Sequence, residues 1–355
     1  MRALWLNRFD YSGNTESVAE LAEGFLKKGL KIHLVLNGVP PSLTGTYQEY
    51  MDKKGLKSSV NISTQQIQNM LYYQGCKLLH VFHPAFFPLA QNLSSSLKIN
   101  WVASCLESIG HSAYSNAYSA LAGATFITCP STALWKEIKG IFHPYKKEKV
   151  LLIPPGIKIP LPEFSREKAD PSSAAQPDKL RLLYIGTLES NRLAVFFRLN
   201  KLIAGLKDCD FGVISAQRIS GISGTLYSWT PDWDRIARSY DIIISSGFFL
   251  LRAIAKGKIA LLMEEKYGGI FSPRAHVQVP DFRATLMDKD KGNGTGAGAG
   301  AGEDLLKRDL QELQKLLEQP SAVKRLQEEN WNYARENHDL EIVSEQLARL
   351  YSRLL

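Results

Sequence analysis

Short apolar runs alternate with amphipathic stretches along almost the whole chain, and that rhythm points to one class of fold. The first run, Ala3 to Leu6, reads as a strand, and a loop from Asn7 to Asn14 follows it. From Thr15 to Lys28 the apolar positions Val18, Leu21, Ala22 and Phe25 recur at helical spacing. That spacing predicts a helix with Thr15 as its N-cap and Gly29 as its stop. Lys31 to Leu36 is the next strand. Strand, helix and strand in that order imply two parallel strands joined by a right-handed crossover. Helical stretches follow at 64–75, 83–97, 113–123 and 131–140, with strands at 76–83, 100–106, 124–130 and 150–157.

Residues 161–179 break the rhythm, being polar and rich in Pro, Ser and Ala as a linker should be. The alternation then restarts, with strands at 180–186, 209–215, 240–245 and 258–264 and helices at 193–206, 233–239 and 248–257. Long helical periodicities over 303–319, 321–337 and 340–355 end the chain. The pattern predicts an α/β protein of two Rossmann-like, doubly wound domains facing across a cleft, with C-terminal helices. The expected parts are a domain over 1–160, a linker over 161–179 and a second domain with the helical tail over 180–355. The Gly/Ala-rich tract from Lys291 reads as a flexible surface loop, because no strand runs tightly into its glycines as a phosphate loop requires.

A chain of 355 residues has room for two cores, and 45% hydrophobic with 22% charged residues excludes wholesale disorder. Cys76, Cys105, Cys129 and Cys209 lie too far apart for a zinc motif. Cys105 and Cys129 fall in apolar runs and read as buried, which suits a reducing compartment rather than a disulfide framework. The N-terminus is broken by Asn7, Arg8 and Asp10 and does not read as a signal peptide. No run approaches the ~20 apolar residues that span a bilayer. A cytoplasmic protein, peripheral at most on the inner face of a membrane, is expected.

Charge sharpens that expectation. Residues 1–160 carry 16 Lys plus Arg against 9 Asp plus Glu, so +7 of the total +8 lies there. Such a half suits an anionic membrane or a phosphorylated substrate. No RNA-recognition signature, basic heptad region or Arg-rich tract points to nucleic acid as a partner.

Candidate chemistry collects near strand ends. Glu107 and His111 follow the strand at 100–106, and a carboxylate at such a strand end could act as a base. His80 and His83 are three apart on a strand, so they face opposite sides; one reads as buried, the other as lining the cleft. Neither makes a metal site without a third partner. Phe82, Phe86 and Phe87 read as core. Tyr267, Gly268 and Gly269 read as a tight turn that could bring backbone N–H groups to the cleft.

Four segments in order then carry a family resemblance: VLLIPPGI, LRLLYIGTLESNR, SYDIIISSGFFLLRAIAKGKIALL and LARLYSRLL. Together they resemble bacterial glycosyltransferases of the family 4-like group, which have the GT-B fold. The first resembles that family's Val-Ile-Pro-Asn-Gly strand end before the linker. The second resembles the opening strand of its donor-binding domain, the third its donor-site strand and helix, and the last its closing helix. The resemblance implies transfer of a hexose from a nucleoside diphosphate sugar to a lipid, glycan or other cell-envelope acceptor. It also implies retention of configuration, and no metal or cofactor beyond the donor itself.

Carried over by residue, the resemblance is incomplete. Gly186 matches the family's glycine, Thr187 stands where it has arginine, and Arg192 stands where it has lysine. Ser246 and Gly247 remain at the donor-site strand end. Ile244 and Arg252 replace its two glutamates, and arginine cannot accept from a ribose hydroxyl, although it could pair with a phosphate. In the first domain Gly13, with Ser12 and Asn14, keeps one glycine of the family's glycine-rich loop. An active transferase is expected, with Glu107 and His111 as catalytic candidates and Gly13, Gly186, Thr187, Arg192, Ser246, Gly247 and Arg252 as donor-binding ones. The alternatives are a catalytically degenerate GT-B protein serving as a partner subunit or binding module, and a sugar-nucleotide epimerase.

Overall fold

Strands that are apolar on both faces need helices on both faces, and the chain supplies this arrangement twice. A computed structural model describes residues 2–106, 115–142, 144–161, 179–206, 208–264, 266–273 and 301–354. They form two units, Met1–Lys158 with His338–Leu355, and Ile159–Asn337. The expected linker, apart from its two ends, and the Gly/Ala tract up to residue 300 lie outside the described residues.

The first unit holds a seven-stranded parallel sheet in the order β3-β2-β1-β4-β5-β6-β7. The strands are β1 (Arg2–Arg8), β2 (Lys31–Asn37), β3 (Lys57–Val60), β4 (Leu78–Val81), β5 (Asn100–Ser104), β6 (Phe126–Cys129) and β7 (Val150–Leu152). Between them run α1 (Asn14–Lys27), α2 (Pro41–Lys53), α3 (Thr64–Tyr73), α4 (Phe87–Leu97), α5 (Ser115–Leu121) and α6 (Thr132–Ile141). The periodicity passed over α2 and β3. In α2 the buried Tyr47, Tyr50 and Met51 keep helical spacing but are only three positions in a largely polar stretch, and β3 is the polar edge strand KSSV.

One face of the sheet packs Leu4, Leu6, Val35, Leu79 and Val81 into an aliphatic core. The other face is aromatic. Trp5 is fully buried, with its ring 5.3 Å from Phe25, 5.0 Å from Phe82 and 6.5 Å from Tyr351. Across that face runs a buried polar line. The Tyr351 hydroxyl bonds His80 Nδ1, His80 Nε2 bonds Ser104 Oγ at 2.7 Å, and Ser104 Oγ bonds Thr128 Oγ1 at 2.6 Å. The line crosses β4, β5 and β6 and satisfies each of these groups away from water. Burial pushes the His80 pKa down to about 3, so its ring is neutral. Cys105 and Cys129 are buried, as expected.

Tyr351 comes from the last helix, α12 (Leu340–Ser352), which the sequence pattern placed with the second domain and which packs instead in the first unit. Ile157 N donates to the His338 carbonyl at 2.8 Å, and Leu340 N donates to the Ile157 carbonyl at 2.9 Å. His338 Nδ1 donates to the Pro155 carbonyl at 3.1 Å, and burial pushes its pKa down to about 4. The approach is close at two glycines. A Cβ on Gly24 would lie 3.1 Å from Leu340 Cγ, and one on Gly156 would lie 3.0 Å from Val343 Cβ.

The second unit holds a six-stranded sheet in the order β10-β9-β8-β11-β12-β13. Its strands are β8 (Leu180–Ile185), β9 (Cys209–Ser215), β10 (Thr225–Ser228), β11 (Ile242–Ser245), β12 (Ile259–Met263) and β13 (Tyr267–Ile270). All pairs are parallel except β12 with β13. Its helices are α7 (Ser190–Ala204), α8 (Asp234–Ala237), α9 (Gly247–Ala255), α10 (Ala301–Leu317) and α11 (Pro320–His338). The Tyr267-Gly268-Gly269 turn is corrected: these residues belong to the antiparallel strand β13. There the Tyr267 hydroxyl donates to Asp309 Oδ2 at 3.0 Å, which ties α10 to the sheet edge.

Truncating a buried aromatic in such a core costs roughly 3–5 kcal/mol. Tyr351→Ala should lower the unfolding free energy of the first unit by about that amount, read as a shifted denaturant midpoint. The buried histidines give a second expectation. An unfolded imidazole titrates near 6.5, above the folded values of His80 and His338, so the unfolded state binds more protons between those limits. Stability should therefore be complete above pH 6.5 and fall as pH drops toward 4, with a shallower slope in His338→Gln. Denaturant midpoints across a pH series check both points.

Candidate functional site

In an open parallel sheet, a crevice forms at the carboxyl edge where neighbouring strands send their connections to opposite sides. In the second unit that point lies between β8 and β11, since the chain runs outward through β9 and β10 before returning to β11. In the first unit it lies between β1 and β4.

Beyond β8 the turn is tightly held. Gly186 N donates to the Ile214 carbonyl at 3.2 Å, and Tyr184 Oη donates to the Thr187 carbonyl at 3.1 Å. A Cβ on Gly186 would lie 3.0 Å from that hydroxyl, so glycine is what the turn admits. Leu188 N donates to Gln217 Oε1 at 3.0 Å, and Ser215 Oγ donates to the same oxygen at 2.9 Å. Thr187 is buried in this turn. Helix α7 then starts behind Glu189 with no side-chain cap, so its first N–H groups have no side-chain acceptor. Arg192 is half-buried in that first turn, near enough to Tyr184 to act on its phenol electrostatically. Among the described residues no carboxylate pairs with it.

Beyond β11 the second turn lies alongside. Ser245 Oγ donates to the Ile185 carbonyl at 2.6 Å and joins β11 to β8. Ser246 is the N-cap position of α9 and makes no side-chain cap bond. Gly247 has φ +55°, a left-handed value that favours glycine, with open space where a Cβ would stand. The structure thus places Gly186, Thr187 and Arg192 just beyond β8, and Ser246 and Gly247 just beyond the adjacent strand β11, at the same edge of the sheet.

Arg252 is not part of it. Its guanidinium pairs with the Asp234 carboxylate and lies over the Trp233 ring, 5.4 Å from the centroid. Lys256 Nζ reaches the same carboxylate at 2.8 Å. The arginine expected at a donor phosphate is instead half of an internal ion pair that fastens α9 to α8. Glu107 and His111 lie outside the described residues.

Gly13 belongs to the first unit, where it has φ +91° and is the N-cap of α1. The expected cap, Thr15, sits inside the first turn, because the helix starts two residues earlier, behind Gly13 with its positive φ. The loop before it is closed by Asp10, whose Oδ1 accepts from Ser12 N at 3.0 Å and Ser12 Oγ at 2.8 Å. Its Oδ2 accepts from Asn14 Nδ2 at 3.0 Å. Just past β4, His83 is nearly buried and its Nδ1 accepts from Ala85 N at 3.1 Å. Burial and the Arg8 charge push its pKa down to about 4.

Three residues along the carboxyl edge of this sheet, beyond β8, β12 and β9, escaped the sequence reading. Glu189 is exposed at the N-cap of α7, Glu264 follows the end of β12, and Arg218 is exposed after β9. The signal was available for Glu264, a carboxylate just beyond an apolar strand, the same feature that singled out Glu107. Among the described residues no group of three His, Cys, Asp or Glu forms a metal cluster. A cavity of about 450 Å³ lined by Tyr227, Asp232 and Arg235 lies at the outer edge strand β10, two strands from β8.

No protein-family model and no curated protein matches the sequence. Solved structures do match. The Anabaena protein Alr3699/HepE, in complex with UDP and glucose, aligns over 100% of both chains at TM-score 0.69 and 11% identity. The chain has the GT-B fold. A glycosyltransferase from Rickettsia africae aligns over 99% of this chain and 98% of its own, at TM-score 0.66 and 11% identity. Sucrose-phosphate synthase from Thermosynechococcus elongatus aligns over 100% and 99%, at TM-score 0.61 and 11% identity. The match extends over the whole length, and at this identity it speaks for the GT-B architecture and leaves the chemistry to the residues.

If Arg252 is structural, Arg252→Ala leaves Asp234 half-buried beside a lost partner. Lys256 still holds that carboxylate, so the expected cost is about 1.5–3 kcal/mol in denaturant unfolding, the scale of one hydrogen bond to a charged group. Arg252→Ala that unfolds like the parent would remove the ion pair from the account.

Proposed function

We propose that this chain is a glycosyltransferase that binds a nucleoside diphosphate sugar at the β8/β11 crevice of its second unit. The observation that carries the reading is the pair of uncapped helix N-termini, α7 and α9, opening beside Arg192 at the switch point of a GT-B sheet. A diphosphate is dianionic and needs N–H donors and fixed cations; helix N-termini supply the first and arginines the second. Arg192 neutralises the diphosphate in place of a metal, with Arg218, beyond the neighbouring strand β9, as a second cation at the same sheet edge. Gly186 and Gly247 let the backbone approach the phosphates. Glu264 and Glu189 are the carboxylates at this edge that can accept from ribose or sugar hydroxyls, the task left vacant by Ile244 and Arg252.

The transferred group is a hexose, in keeping with the UDP and glucose bound by the Anabaena structure. The acceptor is a lipid, glycan or other cell-envelope molecule, and transfer retains configuration; both follow from the family resemblance. Glu107 and His111 remain the proposed catalytic pair. The degenerate reading keeps one observation in its favour: α9 bears no carboxylate and its single charged side chain is locked to Asp234. Under that reading the crevice binds a nucleotide sugar without turning it over.

Thermal melts with UDP-, GDP- and ADP-sugars separate these outcomes. A donor at 100 times its dissociation constant adds about 2.7 kcal/mol to the folded state. A stabilised melt is expected with at least one donor. Arg192→Ala should weaken donor affinity by roughly ten- to a hundredfold, the worth of a hydrogen bond to a charged group. Stabilisation together with slow donor hydrolysis supports the enzyme, and stabilisation without any turnover supports the binding module. No shift with any nucleotide sugar sinks both.

A further inference from the structure

The edge of the first sheet opposite its crevice carries a second surface. Because β1 to β5 are parallel, their first residues share that edge, and the helices feeding them end there. Lys57 opens β3, Lys31 opens β2, Lys77 immediately precedes β4, and Lys98 lies two residues before β5. All four lysines are exposed, and among the described residues none has a carboxylate partner. They form a row across neighbouring strands roughly 19 Å long, at ~4.8 Å per strand. By contrast, the neighbouring Lys53 and Lys54 are neutralised, by Glu49 at 2.8 Å and Glu23 at 2.9 Å.

In the middle of this edge, at the end of α3, two adjacent tyrosines face solvent. Tyr72 is 69% exposed and Tyr73 is 79% exposed, and their rings touch edge to face at 5.1 Å. Helix dipoles account for a lysine at a helix C-terminus, such as Lys98. They do not account for lysines on strand starts or for a solvent-facing tyrosine pair. Unpaired cations around amphipathic rings are the composition of a bilayer interface, where tyrosine sits at headgroup level and each lysine gains from the anionic surface.

The geometry points to this edge as a docking surface for an anionic lipid bilayer. Four of the five cations at or just before these strand starts are lysines, point charges that answer to a diffuse headgroup field, and the fifth is Arg2, which opens β1. Nucleic-acid recognition favours the bidentate fork of arginine. The surface lies wholly within the first unit and is independent of the donor crevice, so neither reading stands or falls with the other.

Flotation of the full chain with phosphatidylcholine vesicles, and with vesicles that also contain phosphatidylglycerol, tests it. Binding is expected to the phosphatidylglycerol vesicles alone and should fade as salt rises. Each of Lys31→Gln, Lys57→Gln and Lys77→Gln should weaken it about fivefold, the effect of about 1 kcal/mol per lysine near the surface. Tyr72→Ser with Tyr73→Ser should weaken it further, while the denaturant midpoint stays at the parent value because these side chains are exposed. Equal binding to neutral vesicles, no binding to either, or undiminished binding by the lysine variants overturns the proposal. So does preferential capture of a single- or double-stranded oligonucleotide over the vesicles through the same lysines.

Discussion

Running the strands of a sheet in one direction divides its rim into two unlike edges, and both proposed surfaces follow from that division. At the carboxyl edge helices begin, so backbone N–H groups point outward and favour anions. At the amino edge helices end, so carbonyls point outward and favour cations. In the second unit the first edge offers α7 and α9, both uncapped, on either side of the β8/β11 switch. In the first unit the second edge offers the lysine row. Neither surface needs an unusual local motif. The polarity of the βα array sets the two edges apart, and the lysines on strand starts with the exposed tyrosine pair add to the amino edge what helix ends alone do not call for.

The first unit adds a constraint of its own. Its aromatic face is closed by a helix more than 180 residues downstream of β7, joined through a backbone pairing at Ile157 and Asp339 and through the Tyr351–His80 bond. A hydrogen bond spanning 271 positions is a slow contact to form, because loop closure must precede the reward. The buried line from Tyr351 to Thr128 also makes this core a polar one that tolerates only neutral imidazole. Stability and pH sensitivity therefore reside in the same residues.

How much of this was legible in the sequence depended on whether the signal was local. The βα alternation was local and gave the architecture twice over. Helix α2 and strand β3 were not seen, because α2 buries only three residues in a largely polar stretch and β3 has no apolar run. The return of α12 to the first unit could not be read from its own amphipathicity, since an apolar stripe says that a helix is covered and not by what. The glycines that close it, Gly24 and Gly156, have no meaning until Leu340 and Val343 are placed against them. Gly247 was legible in part, as a glycine between a strand and a helix, and its positive φ explains it.

The exchange of arginine for Thr187 shows why a motif residue cannot be weighed apart from its turn. Tyr184 reaches forward to hold the carbonyl of residue 187, fills the space beside Gly186 and leaves the 187 side chain buried. A guanidinium there would have to be buried with it, at a cost that an unpaired charge does not recover. Thr187 is therefore the side chain this turn accepts. The positive charge needed at an anionic ligand then has to come from a position that faces outward. Arg192 meets that condition, in the first turn of the helix that the same β8 turn sets in place. The tyrosine that keeps residue 187 inside the turn thus also bears on where the proposed cation, Arg192, can stand.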